Sequence, residues 1–198
     1  MSEAHLNELL IDGYILLSKD IFFANQSCIS SALTSIHCLY ERLDDLGDQP
    51  GCRRAAMDAL GRVDLLYPWI ANQLSLDVIR GYFHCHRLLI NFVRIREPIR
   101  DSGAQELHRD WHANEPRSHC ELFIALDHIN YANGAVEVHS LNGRSRMLVN
   151  MNAGDLLIMD STVQHRGTLN SSGMRRRLLD VQISACSESC AHAISCIG

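Results

Sequence analysis

Several things are scarce or missing in this chain. No apolar run approaches the ~20 residues that a membrane helix needs. The opening Met1-Ser2-Glu3-Ala4-His5 has neither the basic nor the apolar stretch of a secretory leader. Its 8 cysteines include no Cys-x-x-Cys pair, and there is no repeat, low-complexity segment or interdomain linker. Cationic excess is missing too. Eighteen basic residues face 23 acidic ones, for a net charge of −5 and a pI near 6.1. Lys19 is the sole lysine, and no function follows from that. These absences argue against a membrane-spanning protein, a disulfide scaffold and an extended nucleic-acid footprint. The expectation is a cytoplasmic protein with reduced thiols, taking a small-molecule substrate, with no nucleic-acid or membrane partner.

What is present suits one domain over residues 1–198. The chain is long enough, at 46% hydrophobic residues, to form a proper core. Residues 9–18 read as a first strand. Gln26 to Asp44 reads as a helix with Ile29, Leu33, Ile36, His37 and Tyr40 on one face. Gln49-Pro50-Gly51 breaks that pattern, and Cys52 to Arg80 reads as two or three more helical pieces, including Trp69 to Leu74. From about Tyr82 strands and turns take over. The class expected is α+β, mainly β, with a helical layer over about 1–81, a β core over about 82–185 and a tail over 186–198.

The chemistry concentrates in two stretches. Leu107-His108-Arg109-Asp110-Trp111 follows an apolar run, Leu88 to Ile95, and a turn-like segment from Glu97-Pro98 to Gly103. His-x-Asp means little alone in a chain with 11 histidines. On an extended segment, however, His108 and Asp110 share a face and reach one metal, whereas in a helix they would diverge. The second stretch begins with a Gly154-Asp155 turn and the apolar strand Leu156 to Met159, and a short loop then delivers His165. Eleven residues on lies Arg176, on a strand that places it with Leu178, Asp180 and Gln182. Leu179, Val181 and Ile183 form the opposite, covered row. Two histidines, a carboxylate and an arginine make up a 2-His-1-carboxylate facial triad plus a planar fork for a carboxylate.

Their order resembles the phytanoyl-CoA dioxygenase family of Fe(II)/2-oxoglutarate-dependent oxygenases. The resemblance rests on His108-Arg109-Asp110, the strand Leu122 to Asp127 before Asn133-Gly134, Gly154-Asp155, His165, Asn170 and Arg176, and on Asp12 to Leu17 at the start. It implies a double-stranded β-helix (a jelly roll, cupin-like) backed by N-terminal helices. It also implies His108, Asp110 and His165 as catalytic Fe(II) ligands and Arg176 as partner of the distal carboxylate of 2-oxoglutarate. Phe123 falls beside that co-substrate, and Asn91 is a candidate for its other end. The activity implied uses O2, with ascorbate as a possible support, to hydroxylate an unactivated C–H bond and release succinate and CO2. Asp110 disfavours halogenation, because halogenating relatives carry a small residue there. Desaturation, epoxidation and epimerisation use the same ligands. Two departures stand out: Gly167 replaces a frequent Ser, and Val138 to Gly143 replaces the usual turn after Asn-Gly.

Other residues have plainer readings. His112 shares the face of His108 and Asp110, where it touches substrate or supports the ligands. Trp111 faces the core, His84 and His86 the surface, and Arg175 and Arg177 solvent or acidic groups. Cys186, Cys190, His192 and Cys196 sit at helix-like spacings, which suit a small packed helix or a loose tail better than a zinc site. Residues 97–105 and 131–146 are the expected cover over the substrate, a small metabolite or natural-product intermediate. The chain is expected to be a monomer or homodimer. Two rivals remain: a cupin-type metal enzyme without 2-oxoglutarate, and a silent ligand-binding jelly roll.

Overall fold

Period-two alternation dominates the chain from Leu88 onward, and it builds two antiparallel sheets whose facing sides enclose the site. The computed structural model describes residues 2–23, 26–47, 51–57, 61–98, 103–111, 117–186 and 196–197. Its elements are α1 (Ser2–Asp12), β1 (Tyr14–Leu17), α2 (Gln26–Tyr40), β2 (Cys52–Ala56), α3 (Tyr67–Ile70), α4 (Gln73–Phe83) and β3 (Leu88–Pro98). There follow β4 (His119–Ala125), β5 (Val136–His139), β6 (Arg146–Val149), β7 (Leu156–Asp160), β8 (Gln164–Gly167), β9 (Leu178–Ala185) and β10 (Cys196–Ile197). The major sheet has the order β1-β7-β4-β9-β3-β10, with β2 also on β3, and the minor sheet runs β6-β5-β8. This is a double-stranded β-helix.

Each strand of the major sheet divides its residues between two cores. Ile15, Leu17, Leu122, Ile124, Ile158, Leu179, Val181 and Ile183 meet the helical layer, where Ile29, Ile36, Tyr40, Trp69, Ile79 and Tyr82 are buried. The alternate residues Tyr14, Phe123, Ala125, Leu157, Met159 and Leu178 meet Val136, Val138, Val149 and Val163 in the space between the sheets. The alternation predicted from Leu178 to Ile183 is therefore the alternation found, although the strand begins at Leu178, two residues after Arg176. The helical layer is fastened to the sheet by polar contacts as well. Trp69 donates its indole N–H to the Gly154 carbonyl at 2.8 Å, and the Tyr82 hydroxyl donates to Asp160.

Four local expectations need correction. Residues 9–12 belong to helix α1, because Leu6, Leu9 and Leu10 recur at helical spacing and pack on the core; the first strand is only Tyr14–Leu17. Helix α2 stops at Tyr40, short of Asp44. Cys52–Ala56 is a strand, not a helical piece, since it pairs with the far end of β3 from Cys52↔Pro98 to Ala56↔Arg94. In the tail, Cys196–Ile197 pairs with Leu89 and Leu88 as strand β10, while Cys190 and His192 lie outside the described residues. Among the described residues no helix is long and apolar enough to cross a membrane.

Gly13 shows how tightly the N-terminal corner is made. Its N–H ends α1 on the Leu9 carbonyl, and its carbonyl accepts from the N–H of Asp160. At φ +81° the backbone is left-handed, and an added Cβ would stand 2.5 Å from Leu141 Cγ and 2.6 Å from Val163 Cγ2. Gly47 is also left-handed, at φ +64°, but has nothing within 4 Å. Gly13→Ala should therefore lose about 2–5 kcal/mol, combining ~1–2 for the backbone and ~1–3 for overpacking, against about 1–2 kcal/mol for Gly47→Ala. Urea denaturation of both variants measures the difference; equal losses would mean that the corner is not packed as described.

Candidate metal centre

β8 is the strand that places the site. On one side it pairs with β5, with Val138 opposite His165. On the other it receives the segment that carries His108. The His108 N–H donates to the His165 carbonyl at 3.0 Å, and the His165 N–H returns to the His108 carbonyl at 2.9 Å. Gln105 N–H reaches the Gly167 carbonyl at 2.9 Å, and Trp111 N–H reaches the Ser161 carbonyl at 3.0 Å. The segment is not the regular strand expected from Glu106 to Trp111, since His108 forms an isolated bridge. Anchoring at these spaced points holds His108 beside His165 and leaves Asp110 on the same side of the segment.

The three side chains converge. His108, Asp110 and His165 offer ligand atoms that all lie within 4.8 Å of one another. Asp110 Oδ2 is 3.2 Å from His165 Nε2, and Oδ1 is 3.8 Å from His108 Nε2. The outer ring nitrogens are occupied: His108 Nδ1 lies 2.8 Å from the Glu106 carbonyl and His165 Nδ1 lies 3.1 Å from the Val163 carbonyl. A carbonyl only accepts, so each Nδ1 carries the proton and each Nε2 turns a lone pair to the centre. His165 Nε2 is buried and, despite its proximity to Asp110, has no hydrogen-bond partner.

Three acceptors aimed at one point repel each other unless a cation sits among them. Ligands about 2.1 Å from an ion at right angles stand about 3.0 Å apart, so small side-chain rotations close this set on a metal. Burial opposes ionisation of Asp110, but His165 and His108, where protonated, outweigh it and hold its carboxyl below the ordinary range, a role that a cation takes over when the rings turn lone pairs to the centre. The donor set fits a divalent ion with open positions.

The run Arg175-Arg176-Arg177 divides in a way that bears on the ligand. Arg175 Nε and Nη2 bond Glu97 at 2.6 and 3.0 Å, and Arg177 clasps Asp127 through Nε at 2.8 Å and Nη2 at 2.6 Å. Arg176 lies between them, 4% exposed, with its Nε unpartnered and no carboxylate facing it among the described residues. Burial, together with Arg96 nearby, pushes its pKa down to about 10. An uncompensated buried guanidinium costs several kcal/mol unless an anion joins it. The cavity it lines is shared with Arg96, Gln105, Phe123, His165 and Leu178. An anion in that cavity would answer the buried charge.

The structure thus gathers His108, Asp110, His165, Phe123 and Arg176 at one site, with the Phe123 ring 6.0 Å from that of His165. Asn91 does not join them in the cavity lining, and its amide is engaged with Gln182 and Ser184, both at 3.3 Å. His112 lies outside the described residues. Trp111 is not core: it is 38% exposed and stacks on His119 at 4.2 Å. Of the expected covers, residues 131–146 include strand β5, and their two ends are tied down, Ala132 and Ala135 to residues 168–172 and Leu141 to Asp12.

Sequence reasoning missed Glu121 and Gln105. Glu121 is fully buried on the Phe123 face of β4, accepting from Ser161 Oγ at 3.1 Å and Gln182 Nε2 at 2.7 Å. Burial first, then Asp180 and Asp110, raises its carboxyl well above the usual range. Extending the Phe123 alternation back by two residues would have found it. Nothing in the spacing marked Gln105.

Asp110 supplies the only negative charge in the triad. Asp110→Ala should weaken Mn(II) or Fe(II) binding by more than about a hundredfold, because even an outer partner of a ligand is worth about 10–100-fold. Calorimetric titration of the folded variant reads this directly, and an unchanged affinity would remove Asp110 from the site.

No family model matches the sequence, and no curated protein does either. Solved structures do match in fold. The non-haem alpha-ketoglutarate-dependent epimerase SnoN from nogalamycin biosynthesis aligns with TM-score 0.76 at 15% identity, over 93% of this chain and 82% of its own. The carbocyclase SnoK from the same biosynthesis gives TM-score 0.71 at 15% identity, over 97% and 89%. HygX from Streptomyces hygroscopicus, solved with nickel and 2-oxoglutarate bound, gives 0.70 at 13% identity, over 93% and 87%. The chain therefore shares the double-stranded β-helix of these enzymes.

Proposed function

We propose that the protein is a non-haem Fe(II)/2-oxoglutarate-dependent dioxygenase that hydroxylates an unactivated C–H bond of a small metabolite or natural-product intermediate. The observation that carries this reading is a pair of adjoining demands joined through His165, which belongs to the triad and lines the cavity of Arg176. Three acceptors converge on one point that suits a cation, and a buried guanidinium faces no carboxylate among the described residues. A ferrous ion chelated by a 2-oxo acid with a distal carboxylate meets both at once.

When bound, iron and 2-oxoglutarate supply the oxidising chemistry, with succinate and CO2 as by-products. The protein's share is placement. His108, Asp110 and His165 would hold the metal. Arg176 would take the distal carboxylate through its fork, with Phe123 lining the same cavity. The inner face of the major sheet is polar beyond that point. Asp180 is buried and held by Arg94 at 2.7 Å, and Glu121 and Gln182 continue the row. That row suits a substrate with polar groups. Arg176 disfavours a cupin-type enzyme without 2-oxoglutarate, and the complete ligand set disfavours a silent binding protein.

The natural-product reading draws support from the neighbours. SnoN has been solved with nogalamycin RO, and HygX with hygromycin B. The same neighbours include an epimerase and a carbocyclase, so hydrogen abstraction with an outcome other than hydroxylation is the alternative. On sequence grounds we place the protein within the phytanoyl-CoA dioxygenase branch, working in the cytoplasm as a monomer or homodimer.

The deciding experiment is anaerobic loading with Fe(II) and 2-oxoglutarate, then oxygen and a metabolite extract, with succinate and substrate products read by mass spectrometry. A product heavier by one oxygen supports hydroxylation, and a product of unchanged mass favours epimerisation. Arg176→Lys keeps the charge but loses the fork, so 2-oxoglutarate affinity should fall roughly ten- to a hundredfold, equivalent to about 1.5–3 kcal/mol. Arg175→Lys, whose partners are Glu97 and Glu41, should change it little. The reverse order would contradict the assignment.

A further inference from the structure

Gln105 lies three residues before His108 and lines the cavity shared by Arg176, Phe123 and His165. Its side-chain amide has a defined orientation. Oε1 accepts from the Gly167 N–H at 2.8 Å, while the Gln105 N–H donates to the Gly167 carbonyl at 2.9 Å. With Oε1 engaged, the free end of the amide is the Nε2 donor, which makes no hydrogen bond among the described residues. Gly167 makes this possible. A Cβ there would stand 2.8 Å from Gln105 Oε1, so a side chain at 167 and the Gln105 amide compete for the same space. This is the position where the resembled family often carries Ser.

We propose that Gln105 is the second arm of the co-substrate clamp, its Nε2 donating to the distal carboxylate held by Arg176, with Gly167 making room for it. The inference rests on the 2-oxoglutarate reading above. A carboxylate offers about four lone-pair sites, and a bidentate guanidinium uses two. A neutral amide adds a donor without adding to the repulsion between Arg176 and Arg96, which share the cavity. The clamp is also joined to the metal. Gln105 and His108 are pinned to the same strand, β8, at Gly167 and His165.

The test is binding to the Mn(II)-loaded protein, followed by water-proton relaxation, of 2-oxoglutarate and of 2-oxobutyrate, which lacks the distal carboxylate. Gln105→Glu keeps an acceptor for the Gly167 N–H but replaces the donor with an acceptor. It should raise the Kd for 2-oxoglutarate tenfold or more and leave that for 2-oxobutyrate within twofold. Gln105→Ala should weaken 2-oxoglutarate several-fold, and adding Gly167→Ser to it should recover at least threefold, because a hydroxyl then enters the vacated space. An unchanged Kd for 2-oxoglutarate in both Gln105 variants overturns the inference. So does parallel weakening of both ligands, which would mean that Gln105 acts through the His108 segment alone. A wild-type protein that binds metal but not 2-oxoglutarate overturns the functional reading itself, and this inference with it.

Discussion

The reciprocal pair of backbone hydrogen bonds between His108 and His165 sets the geometry on which the site depends. It brings residues 57 positions apart into register across β8 and directs both imidazoles to one side of that strand. The tautomers follow, because each Nδ1 finds a main-chain carbonyl two residues back in its own segment. Asp110 then completes a set of acceptors whose mutual repulsion is the strongest statement the site makes about its ligand. Groups ordered in this way would have little conformational entropy left to lose on taking up an ion.

A second constraint comes from the way β9 is fixed at its entrance. The salt bridges of Arg175 and Arg177 hold their backbone on one face, so the alternation leaves Arg176 no choice but the interior. The outer pair thus keeps the middle guanidinium in a place it would not choose on solvation grounds. Stability is given up locally to keep a positive charge buried. The hydrophobic sandwich between the major sheet and the helices, anchored by Trp69, Tyr40 and Tyr82, is what offsets that loss.

Much of this was legible from residues 154 onward. There the strands have buried neighbours on both sides, and alternation translates directly into the faces of Leu179, Val181 and Ile183 against Leu178, Asp180 and Gln182. The His108–Asp110–His165–Arg176 constellation could be read because each member is a chemically rare choice at its position. The N-terminal third was less legible. Leu6, Leu9 and Leu10 satisfy a helical period while Tyr14–Leu17 is a strand, and only Gly13 separates them. Cys52–Ala56 is a strand because β3 offers it an edge, and no property of Cys-Arg-Arg-Ala-Ala says so. Asn91 looked available as a side chain on a strand, yet Gln182 and Ser184 across the ladder already use it. Partners supplied by distant strands are invisible to spacing.

Asp160 illustrates a quieter requirement of the candidate metal centre. It stands five residues before His165, fully buried, and is by type as good a ligand as Asp110. Yet its Oδ1 accepts from the N–H and hydroxyl of Thr162, and its Oδ2 from the Tyr82 hydroxyl and the Arg117 N–H. No lone pair is left to offer an ion. The helical layer, through Tyr82, therefore does more than cover the sheet. It disarms a competing carboxylate, so the site's selectivity depends on the acid kept away from the metal as well as on the one that binds it.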